Sequence, residues 1–225
     1  MRNLAAKAWL SVIALAVVMG VLLFGLAGTI RYWQAWVYLA IFFGLTIFTT
    51  ADLLKRDPAL LERRMVGGPT AEQRPVQKII MWAASAAFVA MLVVPALDYR
   101  NDWSRVPLAI VVLGDILVAL GFYFIMIVYR ANAYAAATIQ VEQNQTVIST
   151  GPYAIVRHPM YASASLYVIG TPLALGSWWG LVAVAVFIPV LIWRLLDEEH
   201  FLTGSLPGYT EYRQKVRYHL IPRIW

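Results

Sequence analysis

The sequence contains no cysteine, three histidines and only 13% charged residues among 225. The missing cysteines exclude disulfides, thiolate metal sites and cysteine nucleophiles. The histidines, His158, His200 and His219, stand at no metal-ligand spacing, so metal catalysis is not expected. So little charge against 61% hydrophobic residues excludes an ordinary soluble domain, whose apolar share is nearer ~50%. The net charge of +6 does not point to a nucleic-acid partner, because the basic residues lie in short segments between apolar runs. No internal repeat, low-complexity tract or second domain is visible.

What is present is a series of apolar runs, at about Trp9–Ile30, Trp33–Thr50, Ile79–Leu97, Val106–Tyr129, Tyr161–Leu175 and Trp178–Leu196. All but the fifth approach the ~20 residues that cross a bilayer core. The first run is longer than a signal-peptide core and reads as a retained span. The fifth is short, carries Pro172 and meets the sixth through Gly176-Ser177-Trp178-Trp179-Gly180, which predicts a tight helical hairpin with interfacial tryptophans at its tip. The expected fold is all-α: a polytopic membrane protein of about six spans, forming one domain, with N-terminal spans over 1–130 and a distinct part over 131–225.

Lys and Arg set the orientation. With the N-terminus inside, fifteen of them fall on inner segments and three, Arg31, Arg100 and Arg105, on outer ones. The positive-inside rule then places both termini in the cytoplasm, together with the charged clusters discussed next. Asp52–Gln77 reads as a solvated loop with a short surface helix and no chemistry. Ala131–Val156 differs: its one formal charge is Glu142, yet it is dense in hydrogen-bonding side chains. A connection of that length reads as a binding loop. His200–Tyr218, with Pro207-Gly208 followed by Tyr209 and Tyr212, suits a short helix on the membrane surface.

Two clusters end apolar segments. Arg157-His158-Pro159 can be a plain helix start, with proline at the first position and Arg and His snorkelling. Tyr153 and Tyr161 add two aromatic rings around one helix N-terminus, a place that attracts anions. Asp197-Glu198-Glu199 follows the sixth run and reads either as a solvated face or as a site where Glu198 meets a ligand cation while Arg194, four residues earlier, holds an anionic group. Asp115, amid the fourth run, costs roughly 2.5–3.5 kcal/mol there. It reads as a hydrogen-bonded carboxyl tying two helices together.

Gly-x-Tyr-x-x-x-Arg-His-Pro-x-Tyr at Gly151–Tyr161, Arg-x-x-x-Glu-Glu-x-x-Leu at Arg194–Leu202, the pair Tyr209 and Tyr212, and Ile221-Pro222 follow one another in order. In these residues the chain resembles the isoprenylcysteine carboxyl methyltransferase family and the related membrane phospholipid methyltransferases, from about Gln140 onward. The resemblance implies an S-adenosylmethionine-dependent methyltransferase acting on a lipidic or small hydrophobic acceptor, with carboxyl O-methylation favoured. It implies cofactor contacts from Gln140, Gln145, Thr146, Val147, Ile148, Tyr153, His158, Pro159, Met160, Tyr161 and Glu198. Arg194 would hold the acceptor, and Glu199 is the nearest candidate to deprotonate an amine or thiol. Ser163 stands where family members often have glycine. Two other readings are a nicotinamide-dependent membrane reductase related to sterol reductases, and a small membrane transporter built around Asp115.

Overall fold

The computed structural model describes residues 2–225; Met1 and the side chain of Arg2 lie outside the described residues, so the basic N-terminus is represented there by Lys7. The described residues are helical without a strand: α1 (Arg2–Gly20), continued by a π-helical turn at Val21–Gly25, then α2 (Trp33–Arg56), α3 (Pro58–Met65), α4 (Pro75–Asn101), α5 (Leu108–Ala131), a 3-10 turn at Gly151–Ala154, α6 (Pro159–Ala174), α7 (Gly180–Ser205) and α8 (Tyr209–Lys215). Helices α3, α4 and α6 each open with proline, where the missing N–H would have no partner anyway. The Asp57 carboxylate caps α3 by accepting from the Leu60 amide at 2.8 Å.

Among the described residues five helices, α1 with its π turn, α2, α4, α5 and α7, are long and apolar enough to cross a membrane. At 16 residues, α6 spans only ~24 Å, yet it reaches the same far end as the others. There the Tyr32 hydroxyl, at the start of α2, donates to the Leu175 carbonyl at 2.5 Å. The Ser177 hydroxyl donates to Asp98 near the end of α4, also at 2.5 Å, and Asp98 further accepts from the Ser104 amide and hydroxyl. The α1–α2, α4–α5 and α6–α7 turns therefore gather at one end. The other connections and the C-terminal tail gather at the opposite end.

Small residues set the helix pairing. A Cβ on Gly114 would lie 2.2 Å from the Ala174 amide nitrogen, and one on Gly121 would lie 2.9 Å from the Ser163 carbonyl. So α5 and α6 touch backbone to backbone along their length, as small-residue stripes permit between membrane helices. Ser163 fits this seam because its hydroxyl donates back to the Pro159 carbonyl at 2.7 Å. Separately, α4 packs along α7.

Three sequence expectations change. Helix α7 runs nine residues past Leu196, so Asp197-Glu198-Glu199 lie within a helix and not at its C-terminus. The Asp52–Gln77 segment is mostly helical, with only Val66–Arg74 between α3 and α4. Asp115 is 9% exposed, but its Oδ1 has no hydrogen-bond partner, so the expected tie between helices is not made through that atom.

Candidate functional site

A cavity of about 560 Å³ opens among α4, α5, α6, α7, α8 and the 131–156 loop, within the ~300–1,000 Å³ usual for small-molecule sites. Its wall has two parts. Toward the loops it is polar and aromatic, with Asn132, Gln140, Gln145, Tyr153, Tyr161 and Glu198. Toward the helix interior it is apolar, with Phe88 and Val89 of α4, Ile125 of α5, Tyr167 of α6 and Phe187 of α7.

The polar wall follows from helix geometry. Successive residues of a helix point about 100° apart, so three consecutive carboxylates on α7 meet three different neighbours. Asp197 turns to the start of α4, where the guanidinium of Arg74, the residue just before that helix, donates to both its oxygens at 2.6 and 2.8 Å and Gln77 Nε2 donates to Oδ2. Glu198 faces the cavity and accepts from the Tyr161 hydroxyl at 2.5 Å. Glu199, 4% exposed, accepts from Arg157 Nε at 2.5 Å and is bonded to His158 Nε2 at 3.0 Å.

The last group is a closed cluster. Arg157 also donates to the Val216 and Arg217 carbonyls at 2.9 and 2.8 Å. The Arg157 and His158 amides donate to the Tyr218 and His219 carbonyls, which pins the C-terminal tail across the start of α6. Arg157 and His158 are buried and do not snorkel. Arg157 Nη2 stands 2.6 Å from His219 Nε2. Guanidinium nitrogen only donates, so that ring nitrogen accepts. Burial, with Arg157 and His158 nearby, holds the His219 pKa below its usual value against the pull of Glu199.

Arg194 is the other hub, 9% exposed. Its Nε donates to the Tyr161 hydroxyl at 3.2 Å, Nη1 to Gln77 Oε1 at 2.8 Å, and Nη2 to Glu72 Oε1 and the Ala137 carbonyl, both at 2.9 Å. Tyr161 thus bridges Arg194 and Glu198, which do not pair directly despite their spacing. Glu72 and Gln77 are buried. They come from a segment whose sequence suggests only a solvated loop, because their partner lies more than a hundred residues away. The one local hint was that polar Glu72 and Gln77 border the apolar start of α4. From α3, Arg63 and Arg64 donate to the Ala133 and Ala136 carbonyls at 2.7 and 2.8 Å, fixing the cavity loop.

The structure brings Arg194 and the expected cofactor-contacting residues to the cavity wall, except Pro159, which starts α6 behind it. Glu199 does not line the cavity; its carboxylate is committed to Arg157 and His158. The sequence reading gave no role to Arg64 on the wall or to Glu72 and Gln77 behind Arg194, and it gave Arg157 and Asn132, which also line the wall, only as members of a cluster and of a binding loop. Burial pushes the Tyr153 phenol up to about 12 although Asn132 donates to its oxygen at 2.9 Å. Burial also raises Tyr209 and Tyr212 on α8, with nearby Glu199 adding to both. All three phenols remain neutral donors near neutral pH. Tyr209 Oη is buried in the wall without a partner.

Comparison with known proteins gives two findings. The cobalt-zinc-cadmium resistance protein CzcN of Cupriavidus metallidurans is 28% identical over 105 residues, covering 46% of this chain and 48% of that protein. The chain thus spans about half the length of the curated relative it matches. The family model described as phospholipid methyltransferase matches residues 109–206, which contain α5, the cavity loop, α6 and α7. Over those residues, and so over most of the cavity wall, this chain matches the phospholipid methyltransferase family.

Proposed function

We propose that the protein is a membrane-embedded methyltransferase that uses S-adenosylmethionine and acts on a lipidic or small hydrophobic acceptor. The observation that carries this reading is the two-part cavity wall, polar and aromatic at the loop end and apolar between the helices, in a chain whose residues 109–206 match the family. The fit to the cofactor rests on three features. Tyrosine faces and the Glu198 carboxylate suit a sulfonium. The 145–148 loop offers backbone groups. Tyr209 Oη is a buried hydroxyl with no partner among the described residues.

When bound, S-adenosylmethionine supplies a methyl group already activated on sulfur. The chain then has to align and desolvate the reactants. Tyr161 fixes Glu198 toward the cavity and is itself fixed by Arg194. Tyr153, held by Asn132 from α5, sets one aromatic wall. The hydrophobic acceptor approaches through the bilayer: Val89 lines the cavity yet is 44% exposed on α4, so the apolar part opens sideways. The excess of Lys and Arg at the cavity end supports a cytoplasmic position for that end and for both termini. Glu199 acts as a positioning residue for Arg157 and His158.

The test is calorimetric binding of S-adenosylmethionine to the detergent-purified protein and to Glu198→Gln and His158→Ala. Binding that each substitution weakens tenfold or more supports the site. No binding by folded wild-type protein overturns the reading and directs the search to nicotinamide cofactors and then to transport.

A further inference from the structure

Carboxyl O-methylation requires a place for the acceptor's anion, and Arg194 is the residue to which the family resemblance assigns it. In this structure that place is filled from within the chain. Four hydrogen bonds engage Arg194, and a guanidinium has five N–H groups. One of the four goes to a carboxylate, Glu72, whose side chain is 2% exposed. The second oxygen of Glu72 accepts from the Ile139 amide at 3.4 Å, so the carboxylate is held from the cavity loop as well as from Arg194. Gln77 Nε2 meanwhile donates to Asp197, which fixes its carbonyl toward Arg194.

We propose that Glu72 sets acceptor specificity: it occupies the anion-receiving edge of Arg194, so that the acceptor's reacting group enters the cavity uncharged. This rests on the methyl-transfer reading above. Glu72 is the carboxylate that Arg194 meets directly, while Asp197 is paired with Arg74 and Glu198 with the Tyr161 hydroxyl. A carboxylate acceptor would add a second anion to one buried guanidinium, which low-dielectric surroundings disfavour. Arg157 is no alternative receiver, being committed to Glu199. Arg64 donates to Ala136 and lies over the Tyr129 ring, 5.4 Å from its centroid, at the loop end of the wall. In the transfer, a lone pair of the neutral acceptor forms the new bond to methyl while the carbon–sulfur pair stays on sulfur. The proton lost from the acceptor goes to water.

The experiment compares dodecanol and dodecanoate, one chain with two head groups, binding to the S-adenosylmethionine-loaded protein in lipid nanodiscs at pH 7.5. Wild-type protein is expected to bind dodecanol at least tenfold more tightly than dodecanoate. Glu72→Gln, which keeps the shape and removes the charge, is expected to move that ratio at least tenfold toward dodecanoate in protein that still binds the cofactor. Glu72→Asp should restore the wild-type preference, which a merely structural role for Glu72 would not produce. Wild-type preference for dodecanoate overturns the proposal without any variant, as does an unchanged ratio in a Glu72→Gln protein that still binds cofactor. Absence of cofactor binding by wild-type protein instead overturns the methyltransferase reading itself.

Discussion

Single residues in this protein divide by what their charge is tied to. Glu199 and Glu198 are neighbours on α7, yet one is enclosed by Arg157 and His158 while the other faces the cavity through one hydrogen bond from Tyr161. Arg157→Ala leaves the Glu199 charge buried with its main partner gone, and that class of change costs roughly 3–5 kcal/mol. Chemical denaturation in detergent should show a loss of that size. Glu198→Gln should leave the denaturation midpoint nearly unchanged and act on cofactor affinity alone. His219 adds a pH dependence. Its pKa is lowered in the folded state from the ordinary 6.5, so the unfolded chain binds its proton first as pH falls. Stability from this group is complete above ~6.5 and is lost as pH falls below it. The groups facing it are Arg157, Glu199, His158 and the stacked Trp225 ring. Thermal unfolding between pH 5 and 7 should slope upward with pH, and the slope should shrink in His219→Gln.

At the level of elements, two kinds of contact hold the helices. The α5–α6 seam depends on the absence of side chains: a methyl on Gly114 meets the Ala174 backbone at 2.2 Å and the Leu173 carbonyl carbon at 2.7 Å, and backbone cannot swing aside. Gly114→Ala is expected to destabilise by ~1–3 kcal/mol or more through overpacking. Gly44→Ala on α2, where nothing lies within 4 Å of the new methyl, should be neutral or stabilising by up to ~1 kcal/mol. Paired thermal unfolding in detergent checks both, and equal effects would rule out the seam as the cause. The cavity loop is held differently, by Arg63 and Arg64 of α3, Glu72 and Arg194, all reaching its backbone. The α6–α7 hairpin and the long spans were legible in sequence because hydrophobic run length and turn residues are local signals. The grip of α3 on the loop was not, since it pairs guanidiniums with main-chain carbonyls that have no sequence signature.

For the whole molecule, the question is how many times the chain crosses and which end carries the cavity. Run lengths alone leave α6 ambiguous at 16 residues, but the bonds of Tyr32 to Leu175 and of Ser177 to Asp98 join its far end to the α1–α2 and α4 ends. The expected topology is therefore six traverses, five of them by the helices long and apolar enough to cross a membrane, with both ends of the described chain on the cavity side. The site itself was half legible. Residues near each other in the motif, from Tyr153 to Tyr161 and from Arg194 to Glu198, could be grouped by eye. What neutralises Arg194 could not, because it depends on α4 lying against α7. The absence of cysteine makes the topology directly measurable with single introduced thiols. Asn144→Cys lies in the cavity loop and Asn101→Cys at the end of α4, both exposed. In right-side-out vesicles a membrane-impermeant maleimide should label Asn101→Cys alone, and in inverted vesicles Asn144→Cys alone. Labelling of both from one side would overturn the six-traverse arrangement, and the reversed pattern would put the cavity on the outer face, away from any cytoplasmic cofactor.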